Sequence, residues 1–226
     1  LSMVGDTVLT TTTTKILEPS RDQTSCVILS GAVPNILDRA DGLLDKHPHL
    51  TAAVGKLPES GKLCGFRPEI IGELWNAGLF QWIIVEADGA AGKPLKAPAA
   101  HEPVIPACTQ RLVAVVGLNG VGQPLTERLV FRHAHFARLT GLRLGSSVTA
   151  SAIADVLVRN EGLFKGFCPE ARRIAFFNQA DVGENFSTGQ RVARILSRRN
   201  NTGLTRVVIG QILFDPPVLE VYNLDP

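Results

Sequence analysis

No apolar run among the 226 residues approaches the ~20 positions needed to cross a bilayer, and no secretory-leader pattern opens the chain. A membrane role is set aside on that ground, and a cytoplasmic protein is expected. Charge of one sign is also scarce. Lys and Arg number 23 against 21 Asp and Glu, leaving +2, too small an excess to imply a nucleic-acid partner. The four cysteines (Cys26, Cys64, Cys108, Cys168) are scattered without a C-x-x-C pair, which argues against zinc and for isolated reduced thiols. No G-K-[ST] occurs anywhere, so no phosphate loop of that type can be read from the sequence. What is present is ordinary globular material, 45% hydrophobic and 19% charged, long enough to bury a substantial core.

Strand and helix signals alternate. Asp6–Thr12, Cys26–Ser30, Thr51–Leu57, the run Trp82–Val85, Leu112–Val116, Arg173–Phe177 and Thr205–Ile209 read as strands. Pro34 and Pro68 suit the first turns of helices, the second ended by Gly78. Leu125–Leu139 and Thr149–Arg159 read as helical, with Thr149 or Ser151 as cap, and Ser187 caps a helix towards Arg199. This alternation predicts a single α/β domain over 1–226 built on a three-layer, mostly parallel sheet, with a strand-free helical insertion around 125–160.

The segment richest in chemistry is QWIIVEADGAAGKPLKAPAAHEPVIP, Gln81–Pro106. Its apolar run reads as a buried parallel strand ending in Glu86 and Asp88, where open α/β sheets place their ligands. Alternation puts both carboxylates on one side of the strand, and two acids so close suit a Mg²⁺ ion. The plain alternative is that Asp88 caps a turn. Thr11, Thr12, Thr13, Thr14 and Lys15 end another strand as a hydroxyl and ammonium cluster for an oxyanion or Mg²⁺, although threonine repeats are also simply β-prone. Asn178-Gln179-Ala180-Asp181 fits N-[KQ]-x-D, in which Asp181 would accept the paired N–H groups of guanine and Asn178 would brace the loop. A helix cap at Asn178 explains the same residue. Gly92-Lys93 is no phosphate loop, because Pro94 stands where Ser or Thr belongs and removes a backbone donor. The proline-stiffened loop instead presents Lys93, Lys96, His101 and Glu102 to an anionic substrate, or is a solvated loop. Arg128, Arg132, His133 and His135 read as a solvated helix face.

In order, VLTTTTTKI, IIVEADGAAGKPLKAPAAHEPVIP, VVGLNGVGQPL, FRHAHF and FFNQAD resemble the YqeC family of selenium-dependent hydroxylase accessory proteins, over nearly the whole chain from Asp6. The resemblance implies a P-loop-NTPase-like α/β fold. It also implies a GTP- or ATP-linked role with Mg²⁺ in maturing selenium-dependent molybdenum hydroxylases, the partner being a client hydroxylase or its cofactor. Family members are expected to begin with a strand and a G-x-G-G-K-T-type phosphate loop, yet only five residues precede Asp6. Met3, the sole methionine, is read as the translation start and Leu1-Ser2 as a tag remnant. The expected fold therefore lacks its first strand and phosphate loop. Hydrolysis is impaired in the chain as it stands, which is an NTPase only if the native protein carries the loop. A missing central strand leaves a gap or an unpaired edge, so a homo-oligomer or a rearranged sheet is expected. The alternative is a non-catalytic adaptor or carrier for a client enzyme or anionic cofactor.

Overall fold

The computed structural model describes residues 6–20 and 26–224; Met3 and Leu1-Ser2 lie outside them. The chain divides into two compact units. One runs to Gly89 and takes back Val104–Cys108; the other comprises Ala90–Pro103 and the chain from Thr109. The mixed, mostly parallel α/β character read from the sequence is what forms, with its strands distributed over two four-stranded sheets and two smaller ones.

The first unit contains β1 (Val8–Thr12), β2 (Lys15–Ile16), β3 (Cys26–Leu29), α1 (Val33–Leu44), β4 (His49–Ala53), β5 (Gly55–Lys56), β6 (Leu63–Cys64), α2 (Pro68–Asn76) and β7 (Trp82–Glu86). Its main sheet runs β3-β4-β1-β7 and is parallel throughout. Pro34 and Pro68 do occupy the first helical turns, where the missing N–H has no partner to lose. Ile36 and Ala40 of α1, with Ile71 and Leu74 of α2, bury against Leu9, Ile28, Leu50 and Ala52. Each buried leucine or isoleucine among them contributes about 1.5–3 kcal/mol.

Two expectations need correction here. The apolar run Trp82–Val85 is not a fully buried central strand: β7 is an edge strand, its Ile84 is exposed, and so is Glu86. The helices cover the face bearing Leu9, Leu50 and Ile28, towards which Ile83 and Val85 turn, while Ile84 on the other face is exposed. The expected strand Thr51–Leu57 is two, because β4 ends at Ala53 and β5 turns off to pair antiparallel with β6.

The second unit contains β8 (Leu95–Lys96), β9 (Arg111–Gly117), β10 (Val130–Phe131), α3 (His133–Thr140), α4 (Ala150–Val158), β11 (Arg172–Asn178), α5 (Asn185–Ser197), β12 (Leu204–Gly210) and β13 (Val218–Asn223). The sheet order is β13-β12-β11-β9; β9, β11 and β12 are parallel, and β13 runs antiparallel to β12. Ala114, Val116, Ala175, Phe177, Val207 and Ile209 line one face and share a core with α4 and α5. The opposite face carries exposed Val113, Val115 and Val221, with Val115 57% exposed on the edge strand.

Thr149 caps α4, its side chain accepting from the Ala152 N–H. The helix expected from Leu125 starts only at His133, because Val130–Phe131 pairs with Leu95–Lys96 and Arg132 adopts φ 60°, ψ 49°. A helix does not run through that left-handed conformation. The stretch expected to be strand-free therefore contains β10. Ser187 is not a cap: α5 has begun at Asn185, and the Ser187 hydroxyl donates to the Glu184 carbonyl from within the first turn.

Gly65 shows how tightly the first unit closes. Its N–H donates to the Thr14 carbonyl at 2.8 Å, and an added Cβ would lie 2.5 Å from the Thr12 oxygen and 2.6 Å from the Thr14 nitrogen. Backbone on both sides cannot yield cheaply. Gly65→Ala is expected to destabilise the protein by about 1–3 kcal/mol, read as a lowered urea midpoint with an unchanged slope.

Candidate functional site

The carboxyl end of β1 meets that of β7 in the first unit, Thr12 standing opposite Glu86. The threonine hydroxyls here are committed donors. Thr11 Oγ1 donates to the Ala52 carbonyl at 2.8 Å, Thr12 Oγ1 to that of Glu86 at 2.7 Å, and Thr13 Oγ1 to that of Val104 at 2.7 Å. Thr12 Oγ1 also accepts from the Thr14 N–H at 2.9 Å and lies 3.2 Å from the Thr14 hydroxyl. A hydroxyl has one proton, so Thr11, Thr12 and Thr13 cannot also donate to a phosphate while these bonds stand. Their lone pairs can still face a cation. Lys15 is exposed on β2.

Asp88 is half-buried and Glu86 exposed. Among the described residues no group of three or more His, Cys, Asp or Glu could hold a metal ion. Two carboxylates are the residue type that Mg²⁺ takes where water and substrate phosphates complete its shell. They do not make a dedicated all-protein cage.

The second unit gathers its charged groups around Phe131. Lys93 Nζ, Lys96 Nζ and the Arg132 guanidinium stand 5.8, 5.4 and 4.4 Å from the ring centre. One carboxylate answers two of these cations. Glu102 takes the Arg132 fork through both oxygens, at 2.6 and 2.9 Å, and Lys96 at 3.1 Å, with His101 3.6 Å away. Lys96 and Glu102 are nearly buried, and His101 is exposed. Glu102, expected to face a substrate, is thus held internally. Arg132, read as part of a solvated helix face, is its principal partner. Lys93 donates to the Glu127 carbonyl, and Lys165 reaches the Ala99 carbonyl at 2.6 Å. The local field is positive: burial, then Arg138 and Lys165, push the His135 imidazole below its ordinary range.

This cationic loop joins the N-[KQ]-x-D segment at Gly117, the last residue of β9. The Gly117 N–H donates to the Pro94 carbonyl at 2.9 Å. A Cβ there would lie 2.7 Å from Pro94 Cβ and 2.8 Å from Gln179 Oε1, so only glycine lets both loops approach. Asn178 ends β11 and its Oδ1 accepts from the Ile212 N–H at 3.0 Å; the Ala180 N–H donates to the Gly210 carbonyl at 3.0 Å. Asn185 Nδ2 donates to the Gln179 carbonyl at 2.8 Å and to Asn119 Oδ1 at 2.7 Å. Asp181 is exposed. The carboxyl ends of β9, β11 and β12 therefore share one edge with Lys93-Pro94, the edge at which open α/β sheets take ligands. The bracing by Asn178 was legible in the motif. The role of Gly117 was not, and its only trace is the short L-N-G turn after a strand.

Arg132→Ala would take from the nearly buried Glu102 carboxylate its bidentate partner. A loss of about 1.5–3 kcal/mol is expected, measured by chemical denaturation, with Glu102→Gln in the same background restoring part of it.

A family model described as YqeC protein matches residues 1–134. The protein named "Uncharacterized protein YqeC" of Escherichia coli (strain K12) is 32% identical over 190 residues, covering 82% of this chain and 70% of that relative. No solved structure matches. The family match extends from the threonine strand through the Lys93–Glu102 loop to Phe131 and Arg132, the residues just described, and the chain belongs to the YqeC family.

Proposed function

We propose that this chain is a nucleotide-linked accessory protein for the maturation of selenium-dependent molybdenum hydroxylases, with a P-loop-NTPase-like ancestry and a cytoplasmic place of work. One observation carries the nucleotide part: Gly117 brings the cationic Lys93–Lys96 loop against Asn178–Asp181 on a single sheet edge. Cations beside an amide and a free-standing carboxylate are what an anion bearing a purine base requires.

Roles follow residue by residue. In the second unit, Lys93 supplies charge to the anion, and Lys96 and Arg132 hold Glu102 and so shape the loop. Asn178 keeps the base-reading loop in place and Asp181 accepts the paired N–H donors of guanine. In the first unit, Glu86 and Asp88 hold Mg²⁺ and its water, with hydroxyl oxygens of Thr12 and Thr14 at hand and Lys15 near the strand end. Mg²⁺, when bound there, would supply positive charge with most of its shell left to water. The 226 residues hold no G-K-[ST], so turnover by this chain alone is expected to be feeble.

Calorimetric titration with GTP, GDP and ATP in Mg²⁺ tests the reading. Guanine nucleotides should bind more tightly than ATP, and Asp181→Ala should remove the preference, a tenfold or greater change. Hydrolysis, if measurable, should vanish in Asp88→Ala. No preference in the parent chain would sink the assignment of Asp181.

The exposed Val113, Val115 and Val221 on the second unit's sheet favour a second reading, an adaptor that docks a client hydroxylase or another copy of itself. Client binding indifferent to nucleotide, and surviving Asp88→Ala, would decide for it. We also expect self-association through the β9 edge. Light scattering should give a mass above that of one chain, falling to it in Val115→Lys; a monomeric parent would contradict this.

A further inference from the structure

Resting on the nucleotide reading, we infer that Ile212, Leu213 and Phe214 form the apolar platform on which the purine base stacks while Asp181 reads its edge. These three consecutive side chains are 61, 87 and 58% exposed, an unusual display for an ordered segment. The loop that carries them is firmly tied. The Gln211 N–H donates to the Pro217 carbonyl at 2.9 Å, the Phe214 N–H to that of Gln211 at 3.0 Å, and Gln211 Nε2 to that of Pro216 at 3.3 Å. Pro216 and Pro217 further restrict its backbone. Folding therefore holds apolar groups in water at a defined place, which is how ligand and partner sites are marked.

Their place identifies the ligand. The Ile212 N–H is the donor that engages Asn178 Oδ1, so the loop starts at the very residue that braces Asn178–Asp181. With Oδ1 so engaged, the Asn178 side-chain amide still has N–H donors to offer, and exposed Val182 directly follows Asp181. A few placed polar groups against an apolar wall make a small-molecule site. A carboxylate acceptor beside an aromatic face suits a flat heterocycle with paired N–H donors. A protein side chain would need the apolar wall but would leave the exposed Asp181 carboxylate unused.

The test uses the full chain with GDP and Mg²⁺ in calorimetry, beside Phe214→Ala, Leu213→Ala and Phe214→Trp. Both positions are exposed, so the three variants should melt with the parent. Both alanine variants should weaken GDP about tenfold, the usual scale for losing a stacking partner. Phe214→Trp should retain affinity, and GDP should quench emission from the new indole. Undiminished GDP affinity in both alanine variants would overturn the platform while leaving the nucleotide reading intact, and would turn the loop over to a protein partner. A parent chain that binds no GDP would end the nucleotide reading and this inference together.

Discussion

At Gly117 a single methyl group would stand within 3 Å of two loops at once. That contact joins two loops at the carboxyl edge of the second unit's sheet. Strand β9 delivers Gly117 to the end of the sheet, the Pro94 carbonyl takes its N–H, and Gln179 closes over the same spot. From there the Lys93–Lys96 loop runs to Phe131 and Glu102, and Asn178–Asp181 runs to the 211–217 loop. The contact itself is weak, being van der Waals packing and one hydrogen bond. Its importance lies in exclusion, since a side chain at that position would have to push one loop away.

The polar groups in both units serve architecture before chemistry. In the first unit each of Thr11, Thr12 and Thr13 gives its only hydroxyl proton to a carbonyl. Those bonds let buried hydroxyls sit in a sheet without leaving donors unsatisfied. They also restrict what the cluster can do for a ligand to accepting hydrogen bonds or facing a cation. In the second unit the Arg132 fork and Lys96 absorb the Glu102 carboxylate. Lys93 bonds to the Glu127 carbonyl rather than to that carboxylate, and the nearby His135 imidazole is pushed below its ordinary range first by burial and then by Arg138 and Lys165. Arg132 is held in a left-handed conformation that costs a non-glycine residue of order 1–3 kcal/mol, and the bidentate pair offsets it.

Much of this was readable from sequence, for local reasons. β-Branched runs became β1, β9, β11 and β12; Pro34 and Pro68 opened helices; Thr149 capped α4. Each is a decision a few adjacent residues can make. The misreadings were non-local. WIIVE has the composition of a central strand, but whether a strand is central depends on how many neighbours it acquires, and β7 has one. Arg132 at helical spacing from Arg128 reads as a solvated face until β10 pairs with β8 and turns the chain away from helix. The small β2-β6-β5 sheet arises from pairings between two-residue segments too short to carry a periodic signal, and β13 from an antiparallel pairing with β12.

The chain's own order of residues determined its α/β alternation, the acids closing β7, the cation-rich loop after it, and the N-[KQ]-x-D segment after β11. Backbone propensity and side-chain alternation act over a few residues and need no partner. Only the tertiary structure decided which of those groups face one another. It paired Glu102 with Arg132, engaged the threonine protons, and joined Pro94 to Gln179 across Gly117. Those outcomes depend on which distant atoms arrive within about 3 Å, the reach of a hydrogen bond, and no local pattern encodes that distance.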